Sequence, residues 1–201
     1  MSSLALSFGG AVLLVNGVTF IGVIQPRSEI PINLLAGGTL FLAAIPMVWT
    51  SIESSDTSAS LYSAVGFALF GFTYLGVALG TSLSADNRGL GVYCGWAPVI
   101  AGLLVYVNAT TLSDPTLSVL WASWVLLFVA FCIALTRTAT FWSYAAGVLA
   151  VYQAFSTATI PALLLIHESP LALIQIAGAL ICVIALFRRQ NQSKSLEPQR
   201  S

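Results

Sequence analysis

Apolar runs of about 20 residues recur along this chain, and no Asp, Glu, Lys, Arg or His falls inside them. A helix of about 20 apolar residues crosses a hydrocarbon core roughly 30 Å thick, and helices satisfy their own backbone hydrogen bonds there. Only 7% of the 201 residues are charged, whereas soluble domains carry roughly 25%. The sequence therefore predicts an all-α polytopic protein that crosses the cell membrane, inner or plasma, several times.

Turn-forming segments divide the apolar runs into seven predicted spans. The spans cover residues 4–24, 31–50, 61–83, 91–108, 117–136, 143–166 and 170–187. The intervening segments, such as "QPRSEIP" and "SADNRGLG", are rich in Pro, Gly, Ser and Asn, which favour turns. We therefore expect one transmembrane bundle over residues 1–187 and a polar tail over 188–201.

The basic residues indicate how the spans are oriented. With seven spans and the N-terminus outside, all seven basic residues fall on the inner face: Arg27, Arg88, Arg137, Arg188, Arg189, Lys194 and Arg200. Cytoplasmic segments carry an excess of Lys and Arg. This pattern predicts an N-out, C-in topology with a cytoplasmic tail.

The composition also excludes several classes of function. The formal net charge is zero, which gives no indication of nucleic-acid binding. Pumps and proton relays use ionisable groups at depth, and the predicted spans contain none. No acid or base lies in a span to activate a hydroxyl or thiol. We therefore expect no enzymatic activity, no cofactor and no metal site.

Neutral polar and aromatic residues remain at depth, and helical spacing groups them into faces. Phe70 and Tyr74 share a face of the third span, as do Trp121, Trp124 and Phe128 in the fifth and Gln153 and Thr157 in the sixth. Stripes of this kind most often serve packing. If the three faces converge, they line a slot whose rings suit a planar neutral solute and exclude ions.

Several spaced motifs resemble the AmiS/UreI family of urea and short-chain amide channels. These are "AVLLVNG" (11–17), "QPRS" (25–28), Asn33, "GG" (37–38), "LFGFTYL" (69–75), "LWASW" (120–124) and "TATIPALLL" (157–165). The resemblance implies a bundle of six helices with its own pore in each protomer, assembled as a homohexamer, with a seventh span added in this chain. It implies passive permeation of urea or a small amide that feeds a cytoplasmic urease or amidase.

The same resemblance implies that aromatic residues of the third and fifth spans line the pore. The shared face of the sixth span adds Gln153 and Thr157 to this set. The expected set is Phe70, Phe72, Tyr74, Trp121, Trp124, Phe128, Gln153 and Thr157. Proton-gated channels of the family carry a carboxylate where this chain has Gln153, and a long first outer loop bearing histidine. Here the loop of about residues 51–60 is short and contains no His, so we expect a channel without acid gating.

Two other functions remain open at this stage. A proton-coupled carrier of small solutes requires a titratable group at depth. A non-transporting scaffold or sensor subunit could have the same aromatic core.

Overall fold

A computed structural model describes residues 3–53 and 58–164 together with Gly178, and all of the regular structure described here is helical. The main helices are α1 (Ser3–Ile21), α2 (Ile30–Glu53), α3 (Ser58–Ser82), α4 (Arg88–Thr110), α5 (Pro115–Thr136) and α6 (Thr140–Gln153). A 3-10 turn, Pro26–Glu29, precedes α2. A π-helical turn, Ala154–Thr159, continues α6 into the short α7, Ile160–Leu164.

The prediction of an all-helical membrane protein is confirmed. Four stretches of the described chain are long and apolar enough to cross a bilayer: Pro26–Ile52, Ala59–Ser82, Arg88–Thr110 and Pro115–Thr136. The predicted span 170–187 and tail 188–201 lie outside the described residues. The count of seven spans and the N-out, C-in topology therefore stay predictions.

The six long helices form a closed ring. Each helix packs against the next one in sequence, and α6 with its π-helical turn packs back against α1. The connections that hold Arg27, Arg88 and Arg137 all lie at one end of this ring, which we call the basic end. The chain thus encloses a central space that is bounded by α1 to α6.

Glycine contacts allow two of these helix pairs to approach closely. A Cβ atom on Gly147 would lie 2.7 Å from the carbonyl oxygen of Gly17, and one on Gly37 would lie 3.0 Å from that of Gly71. Small residues permit such backbone contact between membrane helices. The first pair joins α1 to α6, and the second joins α2 to α3.

Side-chain hydrogen bonds join the other neighbours in the ring. Asn16 of α1 and Asn33 of α2 exchange amide hydrogen bonds, of which Asn16 Nδ2 to Asn33 Oδ1 spans 2.9 Å. Tyr93 of α4 donates to the Leu69 carbonyl oxygen of α3 at 2.7 Å, and Ser118 of α5 donates to that of Val105 in α4 at 2.9 Å. Bonds of this kind hold helices together where both partners are removed from water.

The distribution of side chains is that of a protein surrounded by lipid. Large apolar residues are exposed on the outside of the ring, for example Leu35, Leu42 and Val99 at 68–69%. Polar residues including Asn33 and Thr157 are fully buried inside it. Apolar exposure on this scale marks a surface that faces lipid. The polar groups face the interior because lipid offers them no hydrogen-bond partners.

Candidate functional site

Five aromatic rings from α3 and α5 meet inside the ring of helices, and we call them the aromatic cluster. Its members are Phe70, Tyr74, Trp121, Trp124 and Phe128, each no more than 6% exposed. Phe70 lies in the middle, with ring centroids 5.1 Å from Trp124, 5.5 Å from Phe128, 5.9 Å from Trp121 and 6.0 Å from Tyr74. These separations are within the range of favourable aromatic contacts.

The helical repeat places these five side chains on facing surfaces. Phe70 and Tyr74 are four residues apart on α3, and Trp121, Trp124 and Phe128 follow at intervals of three and four on α5. Such intervals align side chains on one face of a helix. The spacing therefore explains how two separate helices contribute to one cluster.

Gly66 makes room for one of the cluster's rings. A Cβ atom at this position of α3 would lie 2.5 Å from Cζ2 of Trp121, well inside contact distance. The Trp121 ring then meets Trp124 edge-on, with centroids 4.8 Å apart. The Trp121 ring can therefore occupy this position only because residue 66 is a glycine.

Thr157 connects the cluster to the sixth helical segment. The indole N–H of Trp124 donates to the Thr157 hydroxyl oxygen at 3.1 Å, and that hydroxyl donates to the Gln153 carbonyl oxygen at 2.7 Å. Thr157 lies in the π-helical turn Ala154–Thr159. Pro161 follows without an N–H group, so the Thr157 carbonyl has no α-helical donor. Turns of this kind often occur at functional sites.

Gln153 is buried beside the cluster, at the contact between α5 and α6. Its Nε2 donates to the Ser123 carbonyl oxygen at 2.9 Å. Its Oε1 has no hydrogen-bond partner among the described residues. Gln153 does not line either of the two cavities described below. A buried acceptor without a donor lowers the free energy of unfolding, so this oxygen is a candidate for a functional role.

The structure separates Phe72 from the other expected site residues. Phe72 is 55% exposed, and its ring packs edge-on against Phe41 of α2 with centroids 4.9 Å apart. Successive residues of a helix turn by about 100°. Phe72 therefore points nearly opposite to Phe70 and Tyr74. Its inclusion followed the "LFGFTYL" motif, although helical spacing alone would have placed it outside.

A small cavity of about 20 Å³ lies against the aromatic cluster, on the half of the bundle away from the basic end. Phe70, Tyr74 and Trp124 form part of its wall. Its remaining lining comes from Leu6, Gly9, Leu13, Leu40 and Ala158. The cavity holds at most a water-sized volume.

A larger cavity of about 230 Å³, which we call the vestibule, lies between the cluster and the basic end. Its polar lining comes from Asn16, Thr19, Glu29, Thr73, Thr81, Asn87 and Ser143. It shares no lining residue with the small cavity. A surface depression at the basic end shares Pro26, Thr81 and Asn87 with the vestibule, so the vestibule opens toward that end.

Glu29 is the functional candidate that sequence reasoning missed. In the sequence it lies in the segment "QPRSEIP" between the first two predicted spans. The structure buries it to 6% exposure, at the end of the Pro26–Glu29 turn, where it lines the vestibule. The available signal was its position two residues before the predicted span 31–50, where a helix entering the membrane brings its first turn against its neighbours.

The fold and this interior define a membrane transport protein, in which a ring of lipid-facing helices surrounds buried polar and aromatic groups. A model of the AmiS/UreI family transporter matches residues 1–169. A Rhodococcus erythropolis protein named "Putative transporter protein AmiS2" is 30% identical over 203 residues, covering 99% of this chain and 97% of its own. The chain belongs to the AmiS/UreI family, whose members are transporters and not enzymes.

Further comparisons agree with this assignment. A Mycolicibacterium smegmatis protein named "Putative amidate substrates transporter protein" is 29% identical over 191 residues, covering 92% of this chain and 88% of its own. The crystal structure of the Helicobacter pylori urea channel has the same fold, with a TM-score of 0.69 at 24% identity. The closed-state cryoEM structure of that channel gives 0.68. Each match covers 82% of this chain and 97% of the other.

Proposed function

We propose that this protein is a passive channel for urea or short-chain aliphatic amides that supplies a cytoplasmic urease or amidase. One observation carries the proposal: the aromatic cluster lies between two cavities, and the polar groups in and beside it are neutral. Those groups are the Trp124 indole, the Tyr74 phenol and the neighbouring Thr157 hydroxyl. Family membership and the amide-related name of one relative support it.

The physical chemistry of the cluster favours a small, flat, uncharged solute. Transferring an amide into an apolar medium without new hydrogen bonds costs roughly 2–7 kcal/mol. The Tyr74 phenol, which lines the small cavity, can replace part of the lost hydration. An ion would lose far more solvation, and no charged side chain belongs to the aromatic cluster to compensate it. Urea and acetamide meet these conditions.

We further propose that the basic end faces the cytoplasm. Arg27, Arg88 and Arg137 all lie there, as the excess of Lys and Arg in cytoplasmic segments requires. The vestibule then opens toward the cytoplasmic enzyme. The proposed membrane is the inner or plasma membrane.

We propose a homohexamer with one pore per protomer, as the family resemblance implies. The exposed apolar residues of α2 and α4, such as Trp49, Val92 and Tyr106, are available to lipid and to neighbouring protomers. The pore itself is enclosed by the six helices of one chain.

The proposed pore residues are Phe70, Tyr74, Trp121, Trp124, Phe128 and Thr157, with Gln153 beside them. Phe72 is left out because its ring lies on the outside of the bundle. The channel is proposed not to be gated by acid, because Gln153 is an amide and the connection between α2 and α3 contains no His.

Stopped-flow light scattering tests the proposal directly. Proteoliposomes that contain the purified chain are loaded with urea, acetamide, formamide or glycerol. They are then mixed with solute-free buffer, which creates an outward-directed gradient. We expect urea or an amide to equilibrate faster than in protein-free liposomes, with no accumulation against the gradient. Permeation equal to that of protein-free liposomes contradicts a channel and favours a scaffold or sensor subunit. Uphill accumulation that an uncoupler abolishes contradicts passive transport and favours a proton-coupled carrier.

A further inference from the structure

Three hydroxyl groups in the polar wall of the vestibule offer the cavity acceptors and no free donor. The hydroxyl of Thr19 donates to the Val15 carbonyl oxygen at 3.0 Å, and that of Thr73 donates to the Leu69 carbonyl oxygen at 2.8 Å. The hydroxyl of Thr81 donates to Oε1 of Glu29 at 3.3 Å. Each hydroxyl has one hydrogen, so these three groups can offer the cavity only oxygen lone pairs.

Glu29 adds the strongest acceptor of this wall. An ionised carboxylate accepts hydrogen bonds and donates none. Its side chain lies between α1 and α3, beside Thr19 and Thr81. The carboxyl group thus reaches the vestibule from the chain segment that leads into α2.

The amide groups nearby do not supply the missing donors in full. Asn16 and Asn33 bond reciprocally, and Nδ2 of Asn33 also donates to the Glu29 carbonyl oxygen at 2.9 Å. These contacts occupy most of the N–H groups of the pair. The donors that remain in the lining are those of Asn87 and Ser143, which can bond a carbonyl oxygen. The solute that best satisfies such a wall carries several N–H groups, a carbonyl oxygen and no negative charge.

We propose that the vestibule is a binding site for neutral solutes that bear primary amide groups, with Glu29 as the residue that accepts their N–H groups. The inference rests on the proposed channel function and deepens it, because it assigns a second recognition point between the aromatic cluster and the basic end. The volume of about 230 Å³ accommodates urea or acetamide together with water. A carboxylate product of amide hydrolysis is repelled there by Glu29.

Infrared difference spectroscopy of the full chain in liposomes at pH 8 tests this directly. We expect acetamide to shift the carboxylate band of Glu29, which is identified by its loss in Glu29→Gln. Acetone has the shape of acetamide but no N–H group, so it should leave the band unchanged. A band that acetamide does not shift overturns the proposal, as does an equal response to acetone. A response to ammonium alone overturns the assignment to neutral amides.

Transport by matched variants supplies a second readout. Glu29→Gln should raise the half-saturating concentration of acetamide about tenfold, the scale of one lost hydrogen bond to a charged group. Asp86→Asn removes an exposed carboxylate at the same end and should leave that concentration unchanged. If Glu29 only stabilises the start of α2, Glu29→Gln lowers thermal stability and the half-saturating concentration does not move, which overturns the proposal.

A third variant covers the case in which Glu29→Gln does not fold. Thr81→Val keeps the carboxylate and removes its hydroxyl partner. Its carboxylate band should shift in the absence of solute and still respond to acetamide; a band that no longer responds overturns the proposal. Failure of the wild-type chain to conduct urea bears on the proposed function, whereas the band response bears on this inference alone.

Discussion

The indole N–H of Trp124 and the hydroxyl oxygen of Thr157 are joined by a 3.1 Å hydrogen bond between α5 and the π-helical turn that follows α6. Both residues are buried, with Thr157 at 0% exposure. This bond fixes the orientation of one ring of the aromatic cluster. It also ties the cluster to the interrupted helix, where a change in helical winding can move Thr157 relative to Trp124.

The first prediction concerns this bond. Trp124→Phe keeps an aromatic ring and removes the N–H group, so the ring is no longer held by Thr157. We expect urea permeability to fall about tenfold, which corresponds to about 1.4 kcal/mol in the barrier. Trp96→Phe is the matched control, because Trp96 is 53% exposed on the outside of α4. Equal permeability in the two variants contradicts a role for the bond.

The second prediction compares two phenylalanines on one helix. Phe70→Ala removes the central ring of the cluster, and truncation of a buried Phe costs roughly 3–5 kcal/mol. We expect lower thermal stability and faster passage of glycerol relative to urea, because the constriction widens. Phe72→Ala should change neither quantity, since Phe72 lies on the outer surface. A loss of selectivity in Phe72→Ala as large as in Phe70→Ala would place the pore elsewhere.

The third prediction concerns the contact between Gly66 and Trp121. Gly66→Ala puts a methyl group 2.5 Å from the present position of the Trp121 ring, so the ring must shift. We expect a stability loss of about 1–3 kcal/mol, as is usual for overpacking, and reduced urea permeability. Gly102→Ala serves as the control, because a Cβ atom there meets nothing within 4 Å. Unfolding curves and stopped-flow rates that coincide for the two variants refute this prediction.

The fourth prediction concerns Gln153, whose Oε1 has no hydrogen-bond partner in the described part of the chain. If this oxygen accepts an N–H group of the passing solute, Gln153→Leu should reduce urea permeability several-fold while the protein still folds. Asn108→Leu is a close match, because Asn108 is similarly buried and its Oδ1 also has no partner among the residues that the structure describes. Asn108 lies near the end of α4, and its replacement should leave permeability unchanged. A silent Gln153→Leu removes this residue from the proposed pore.

The fifth prediction concerns gating. With the interior of right-side-out proteoliposomes buffered at pH 7.5, lowering the external pH from 7.5 to 5 should change urea permeability by less than a factor of two. The aromatic cluster contains no carboxylate or imidazole that titrates in this interval. The internal buffer keeps the vestibule carboxyl of Glu29 in one state. Activation of flux by external acid alone would show that the channel is gated.

Specific residues show which parts of the site the sequence reveals. The intervals between Phe70 and Tyr74 and among Trp121, Trp124 and Phe128 predict shared faces, and the structure brings these faces together. The same reasoning could have excluded Phe72, because its interval of two residues from Phe70 places it on the opposite side of α3. The burial of Glu29 could not be read in this way. It depends on how the Pro26–Glu29 turn packs against α1 and against α3, whose Thr81 is 52 residues away in sequence.

The sequence by itself determined that the protein is a helical membrane protein, because uncharged runs of this length can satisfy their backbone hydrogen bonds in lipid only as helices. Helical periodicity also determined which residues share a face. Only the tertiary structure decided which faces meet, that Trp124 bonds to Thr157, that Gln153 bonds to the Ser123 carbonyl and that Glu29 lines a cavity. These contacts join segments 30 or more residues apart, so no local pattern specifies them.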